Sequence, residues 1–254
     1  MTSDFLRVDA ADGVGTIVIN NPPLNILTRD LLGRFRENLA DLSEDEELRV
    51  LVVKAEGKHF SAGADVEEHL PGEFETLIPE FIETIRQLYG FPVPVIAAVR
   101  GKCLGAGFEL VLSADIIVAE SGAEFGQPEI FLGVAAPAAC VLLPLLTSPT
   151  HAARILLSGN PLSANDAREM GIVGSVAPEG QLDTVVDDEV AVISRHSAAA
   201  LRATKRMMRN GQANVEMALG TAQAIYTDQL MKSADSLEGL NAFLEKRKPI
   251  WSHR

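Results

Sequence analysis

Short, continuous apolar runs that alternate with helical segments constrain the fold of this chain most strongly. Residues 50–53 and 95–99 contain only apolar side chains and are rich in β-branched residues, a pattern typical of strands buried on both faces. Residues 74–88, which lie between these runs, are predicted to form a helix. Alternation of helices with buried strands predicts crossover units in an α/β core.

The segments before and after these runs continue the alternation of strands and helices. The later part of the chain is predicted to contain only helices. Residues 15–20 and 114–119 are predicted strands, and residues 28–41 are a predicted helix with Thr28 as its N-cap. A further short helix is predicted to begin at Phe108. Beyond Pro149 the predicted elements are all helices: 152–157, 164–170, 182–194, 198–207, 215–230 and 236–247. We therefore predict an α/β core over residues 1–190 and a C-terminal helical region over residues 191–254.

Charge and composition argue against several classes of partner. The 254-residue chain has a formal net charge of −13, which disfavours nucleic acid or an anionic membrane as the main partner. Its two cysteines, Cys103 and Cys140, lie far apart and match neither a disulfide framework nor a zinc-site spacing. The N-terminal residues lack a signal-peptide pattern, and no uncharged apolar run reaches about 18 residues. We therefore expect a cytoplasmic protein.

Two glutamates occupy apolar segments. Glu109 lies within residues 104–112 and Glu129 within residues 125–132, each after a tight turn and before an apolar run. Carboxylates are rarely fully buried unless they pair with another group or take part in the chemistry of a site. Either glutamate alone could belong to a structural ion pair. Two of them so close in sequence suggest paired carboxyls that work as acid and base.

Two segments rich in small residues follow predicted strands, namely residues 59–65 and 100–107. Small residues allow the backbone to approach a ligand closely, and free N–H groups at a helix start can receive developing negative charge. Two such groups aimed at one oxygen form an oxyanion hole. Either segment alone could be ordinary turn structure. A dinucleotide fingerprint is disfavoured because Leu110 stands at the position of its third glycine.

Taken together, these motifs resemble the enoyl-CoA hydratase/isomerase (crotonase) superfamily over nearly the whole chain. That resemblance implies an α/β fold of the ClpP/crotonase type, a spiral of β-β-α units with a C-terminal helical trimerisation region. It also implies self-association as trimers or dimers of trimers. The motifs that carry it are SAGAD at 61–65, GKCLGAGFEL at 101–110, Asp115, FGQPEIFLG at 125–133, AREMGIV at 167–173 and FLEKR at 243–247.

The resemblance also implies roles for four residues. The amides of Ala64 and Ala106 match the oxyanion-hole positions, which would hold the thioester carbonyl as it becomes an enolate. Glu109 and Glu129 match the two hydratase glutamates, one of which would activate water while the other delivers a proton. Members that only isomerise or hydrolyse often keep one carboxylate or neither, so the presence of both favours hydration.

Contacts with coenzyme A are implied in the same way. The CoA would lie along residues 54–65, including Ala62 and Asp65, with Lys54 or Lys58 at its phosphates. The expected contacts from the C-terminal region are Phe243 and Lys246, which would reach the CoA of a neighbouring subunit. His69 is expected at the acyl group. The alternative is that the lysines are solvated surface residues and that His69 is incidental.

Two departures from the family pattern concern the site. Ala106 replaces the middle one of three consecutive glycines, so its amide serves only if the backbone there tolerates a Cβ atom. Pro137 occupies a position whose peptide N–H commonly helps to hold the catalytic water, and proline has no N–H. The strongly apolar residues 134–143 around it would suit a carbocyclic acyl group.

Within the superfamily, several segments are most similar to cyclohexa-1,5-dienecarbonyl-CoA hydratases. The resemblance implies hydration of cyclohexa-1,5-diene-1-carbonyl-CoA to 6-hydroxycyclohex-1-ene-1-carbonyl-CoA, in anaerobic aromatic degradation, with no metal or redox cofactor. The alternatives are a straight-chain enoyl-CoA hydratase of β-oxidation and a thioester isomerase or hydrolase. A catalytically silent relative would be expected to lose a carboxylate. The segments are VEEHLP at 66–71, CLG at 103–105, APAAC at 136–140, LLP at 142–144 and EGLNAFLEKR at 238–247.

Overall fold

A six-stranded sheet forms the centre of the protein. The computed structural model describes residues 5–212 and 214–253. The strand order is β1-β2-β3-β4-β6-β9; β1 and β2 pair antiparallel, and every other pair in this sheet is parallel. Its strands are β1 (Leu6–Ala11), β2 (Val14–Ile19), β3 (Val50–Ala55), β4 (Val95–Val99), β6 (Ile116–Glu120) and β9 (Ser175–Ala177).

A smaller sheet of three short strands has the order β5-β7-β8. They are β5 (Lys102–Leu104), β7 (Glu124–Gly126) and β8 (Leu162–Ser163). Thus β4 belongs to the large sheet and the next strand, β5, to the small one, and β6 and β7 repeat this arrangement. A parallel bridge between Ser61 and Cys103 adds the loop after β3 to the small sheet. The two loops rich in small residues therefore lie side by side.

Ten helices surround the sheets in the described part of the chain. Thr28 caps α1 by accepting a hydrogen bond from the Leu31 amide, as its position in the sequence predicts. The helices are α1 (Arg29–Ser43), α2 (Phe74–Tyr89), α3 (Ala106–Leu112), α4 (Pro137–Leu146), α5 (Pro149–Ser158), α6 (Ala164–Glu169), α7 (Leu182–Ser194), α8 (Ala198–Asn210), α9 (Val215–Asp228) and α10 (Ala234–Leu244).

Strand β3 is buried on both faces, as its continuous apolar sequence predicts. Leu51 and Val53 belong to the main core, which α1, α2 and α3 cover. Val50 and Val52 face a second cluster, to which α7 contributes Leu182. The large sheet is therefore covered by helices on both faces, which confirms the predicted α/β core.

Each of the nine predicted helices is observed, with small differences in bounds, but α4 was not predicted. Prolines occupy its first position and its interior, Pro137 and Pro144, and a proline is tolerated at the start of a helix because that N–H has no intrahelical partner. Strand β1 was missed as well, although apolar and polar residues alternate from Leu6 to Ala10; in the structure five of its six residues are exposed.

The C-terminal helices pack against the core. Helix α9 contacts α2 and α4, while α10 contacts the short 3₁₀ helix Pro128–Leu132. The predicted division at residue 190 lies inside α7, whose first turns pack on the large sheet, and the division stays a prediction. In the described residues, no helix is both long and apolar enough to cross a membrane.

Candidate active site

A cavity of about 240 Å³ lies between the two small-residue loops, α2, α4 and the C-terminal helices. Its walls are mainly apolar. Helix α2 contributes Leu77, Ile78 and Phe81, and α10 contributes Leu240. Glu109 and Glu129 both line this cavity, so the structure brings the two predicted carboxyls to one site.

The loop residues Ala64 and Ala106 line the same cavity. Ala106 is the first residue of α3, where a backbone N–H has no intrahelical partner. Among the residues that the structure describes, neither the Ala64 nor the Ala106 amide donates a hydrogen bond. Both residues line one cavity and have unpaired N–H groups, as an oxyanion hole requires, and the assignment of these amides to one stays a prediction.

The alanine at 106 fits the backbone. The residue before it, Gly105, has φ +55° and makes the sharp turn into the helix, whereas Ala106 is helical and lacks a positive φ. Gly105 also needs to be a glycine because a Cβ atom there would lie 2.6 Å from Glu129 Oε1. The departure from three consecutive glycines therefore falls at a position that accepts a side chain.

Glu109 lies on α3 and is almost completely buried, with 3 % of its surface exposed. Its Oε1 accepts hydrogen bonds from the amides of Ala138, at 2.7 Å, and Ala139, at 2.9 Å, in the first turn of α4. Burial raises the pKa of Glu109 to about 7, and these two N–H donors limit the rise. The carboxyl can thus exchange a proton near neutral pH.

Glu129 lies in the 3₁₀ helix Pro128–Leu132 and is partly exposed along the cavity. Burial of its carboxyl and, second, the charge of Glu109 raise the pKa of Glu129 well above its usual value. Ionisation of both carboxyls at the same time is therefore unfavourable. One proton shared between them suits a site that must both accept and deliver a proton.

The buried Gln127 adjoins this carboxyl. With its nitrogen toward Glu129, the Gln127 amide donates to Oε2 at 3.0 Å and to Oε1 at 3.3 Å. The sequence analysis gave Gln127 no role. No local sequence signal marked it, because Glu129 lies in the 3₁₀ helix that begins at Pro128, and the contact depends on how the chain turns from Gln127 into that helix.

Pro137 lines the cavity at the first position of α4. Because it has no N–H and the next two amides bind Glu109, the first turn of this helix offers the cavity no free donor from residues 137–139. The structure is consistent with the predicted consequence of the proline, which is that the ordinary peptide donor for water is missing.

Three further predicted contacts reach the cavity: Ala62, His69 and Phe243. The His69 Nδ1 lies 2.8 Å from the Asp65 carbonyl oxygen. Burial lowers the pKa of His69, which favours the neutral imidazole. Phe243 is 53 % exposed, so it stands at the edge of the site.

The structure does not bring the other four predicted contacts to the cavity. The Lys54 Nζ pairs with Asp183 at 2.9 Å, whereas Lys58 and Lys246 are exposed. The Asp65 carboxylate accepts from the Glu67 amide at 2.9 Å. Contacts of these residues with a CoA that extends out of the cavity stay a prediction.

Tyr226 lines the cavity as well, and the sequence analysis missed it. It is 2 % exposed and comes from α9. No local sequence signal marks it, because only the packing of α9 against α2 and α4 brings this tyrosine to the two glutamates.

Comparisons with known proteins agree with this geometry. The family model of enoyl-CoA hydratase/isomerase matches residues 9–254. A cyclohexa-1,5-dienecarbonyl-CoA hydratase from Thauera aromatica is 36 % identical over 92 % of this chain and 90 % of its own length. A probable enoyl-CoA hydratase from Mycobacterium bovis is 32 % identical over the full length of both chains. The solved structure of an enoyl-CoA hydratase from Mycobacterium avium subsp. paratuberculosis superposes with a TM-score of 0.88 at 27 % identity, covering 98 % of each chain.

The fold is thus the crotonase fold, as the sequence motifs predicted. The chain belongs to the enoyl-CoA hydratase/isomerase family. The predicted sequence similarity to a cyclohexa-1,5-dienecarbonyl-CoA hydratase is also confirmed.

Proposed function

We propose that this protein adds water to a conjugated acyl-CoA thioester. The observation that carries the proposal is the pair of carboxyls, Glu109 and Glu129, in one cavity with the two unpaired amides of Ala64 and Ala106. A double bond conjugated to a thioester accepts a nucleophile only if the negative charge that moves to the carbonyl oxygen is stabilised. Water must also lose a proton while a carbon gains one, and each step needs its own carboxyl group.

The reaction balances with these groups alone. The water oxygen bonds to the carbon β to the thioester, and one glutamate takes the water proton. The electron pair of the double bond moves to the thioester oxygen, where the Ala64 and Ala106 amides hold it. As the carbonyl re-forms, the protonated glutamate gives its proton to a carbon of the enolate or dienolate. We therefore propose that no metal or redox cofactor takes part.

For the acyl group we propose cyclohexa-1,5-diene-1-carbonyl-CoA, with 6-hydroxycyclohex-1-ene-1-carbonyl-CoA as the product, as in anaerobic aromatic degradation. The 36 % identity to a hydratase with that name supports this choice. So do the apolar walls from α2 and the proline at the start of α4. A straight-chain enoyl-CoA remains the second candidate, favoured by the full-length match to a probable enoyl-CoA hydratase.

One assay separates these substrates. Purified protein is given the cyclic dienoyl-CoA and, in parallel, crotonyl-CoA, and kcat/KM is measured for each. We expect the ring substrate to have the larger value. Turnover of crotonyl-CoA alone would remove the ring-specific proposal and leave hydration in place.

The same reactions also separate hydration from its alternatives. In water labelled with ¹⁸O, a hydratase places the label in the hydroxyl group of the product. An isomerase moves the double bond without taking up label, and a hydrolase releases free CoA. Either of these two results would contradict the proposed function.

We also propose that the protein acts in the cytoplasm as a trimer or a dimer of trimers. Exposed apolar side chains near the cavity mouth, among them Phe131 and Phe243, support self-association. Light scattering on the purified protein measures the oligomeric state, and a monomeric mass would contradict this proposal.

A further inference from the structure

In the described part of the chain, the hydroxyl of Tyr226 lacks a hydrogen-bond partner. The side chain is 2 % exposed, and within residues 5–212 and 214–253 no group pairs with its hydroxyl. A buried polar group without a partner destabilises a fold, so such groups are rare and call for an explanation. Since Tyr226 lines the cavity that holds Glu109 and Glu129, a molecule bound there is the available partner.

Several other donors around the cavity are absent or engaged. Pro137 has no N–H, and the amides of Ala138 and Ala139 bind Glu109. The His69 Nδ1 pairs with the Asp65 carbonyl oxygen. The Ala64 and Ala106 amides are assigned to the thioester oxygen by the proposed function. Among the residues that line the cavity, Tyr226 is therefore the one with a hydroxyl group, and that group is unengaged.

The surroundings keep Tyr226 protonated. Burial and then the negative charges of Glu129 and Glu109 raise the pKa of its hydroxyl. All three side chains line the same cavity. At working pH the phenol is a neutral hydrogen-bond donor and does not compete with the glutamates as a base.

We propose that the Tyr226 hydroxyl donates a hydrogen bond to the oxygen atom being added, first as the water held by the two glutamates and then as the new hydroxyl of the product. This proposal rests on the proposed hydration. Tyr226 keeps its own proton throughout, and it supplies the donor that Pro137 cannot. It is a catalytic residue in the sense that it touches a reacting atom.

The first test is Tyr226→Phe, which removes the hydroxyl and keeps the ring. The matched control is Tyr89→Phe, because Tyr89 is the other tyrosine of the chain and its hydroxyl donates to Gln212, away from the cavity. We expect kcat to fall about tenfold in Tyr226→Phe, with KM within about threefold, because the bond acts on the water and not on CoA. Its melting temperature should not fall, since the lost group was unpaired.

A kcat of Tyr226→Phe within twofold of the wild type would overturn the proposal. A lower melting temperature with an equal loss of activity in Tyr89→Phe would overturn it as well, because that result indicates a general packing effect.

The second test does not depend on turnover. Calorimetry compares the affinities of the wild type and both variants for 3-hydroxybutyryl-CoA and butyryl-CoA, which differ by one hydroxyl. We expect the wild type and Tyr89→Phe to prefer the hydroxylated ligand by about tenfold, and Tyr226→Phe to bind both equally.

The two tests separate the two proposals. A wild type that hydrates no enoyl-CoA but shows the Tyr226-dependent preference contradicts the proposed function and supports the hydroxyl contact. A wild type that hydrates enoyl-CoA but binds the two ligands equally, or a preference that persists in Tyr226→Phe, overturns the role of Tyr226.

Discussion

Carboxylates with little exposed surface occur in two regions of this protein, and their interaction partners differ between the two regions. Asp115, just before β6, is held between Lys205 and Arg209 of α8, at 2.6 and 2.8 Å. Its Oδ2 also accepts from the Val95 amide at 2.7 Å. Among the described residues, Glu109 accepts hydrogen bonds only from the uncharged amides of Ala138 and Ala139, and burial followed by the charge of Glu109 raises the pKa of Glu129.

This difference in partners indicates a structural role for Asp115 and a chemical role for the two cavity glutamates. The Asp115 cluster is satisfied by cations and joins α8 to the end of the large sheet, and Arg209 also stacks on the Tyr89 ring at 3.7 Å. Burial lowers the pKa of Lys205 to about 8, and the charge of Asp115 limits that fall. In the part of the chain that the structure describes, no cation pairs with the cavity glutamates, and burial raises the pKa of both, that of Glu109 to about 7. A buried carboxylate without a cation is therefore the stronger indication of function.

The largest expected effect comes from removing the cavity carboxyls. Glu109→Gln and Glu129→Gln should each lower kcat by about 10²–10⁴-fold, because each removes a proton donor or acceptor and leaves a similar shape. Steady-state kinetics measures this, with Glu124→Gln, an exposed glutamate of β7, as the control. Full activity in either cavity variant would contradict the assignment of that glutamate.

Breaking the other cluster should affect stability instead. Asp115→Asn leaves Lys205 and Arg209 without their anion, and the free energy of unfolding should fall by about 3–5 kcal/mol. Urea unfolding measures this loss. The kcat of the folded variant should stay within about threefold of the wild type. A large loss of kcat with unchanged stability would show that the contrast between the two regions is wrong.

Gly105→Ala tests the close approach that positions Glu129. The new Cβ would lie 2.6 Å from Glu129 Oε1 at a φ of +55°, so we expect kcat to fall by about tenfold, together with a loss of about 1–2 kcal/mol of stability. Gly180→Ala is the matched control, because Gly180 has φ +74° and open space around it. Equal kcat values in the two variants would mean that backbone strain alone explains the effect.

The last expected effect, which concerns stability and not kcat, is the dependence of stability on pH. The folded pKa of Glu109 is raised from 4.5 to about 7, so between these values the folded state holds a proton that the unfolded state has released. The contribution of this carboxyl to stability is therefore greatest at low pH and declines as the pH rises toward 7. Melting temperatures from pH 5 to 8 should decline less for Glu109→Gln than for the wild type. Parallel curves would contradict the raised pKa.

Much of the fold could be read from local sequence. The runs at 50–53 and 95–99 predicted buried strands because uninterrupted apolar residues leave a strand no polar face. Helix α7 was predicted with its observed bounds. Strands β5, β7, β8 and β9 were missed because two or three residues are too few to show a period.

The candidate site likewise contains residues that the sequence predicted and contacts that it did not predict. The sequence determined the two glutamates and the two small-residue loops, because each is a local departure from its apolar surroundings. Only the tertiary structure decided their partners: the Ala138 and Ala139 amides at Glu109, the amide of Gln127 at Glu129, and the hydroxyl of Tyr226 at the cavity wall. These contacts join segments distant in sequence, or depend on how a side chain is turned, and packing alone sets both. The sequence likewise showed Asp115 without its two cations, which come from α8, and so could not distinguish a paired carboxylate from an unpaired one.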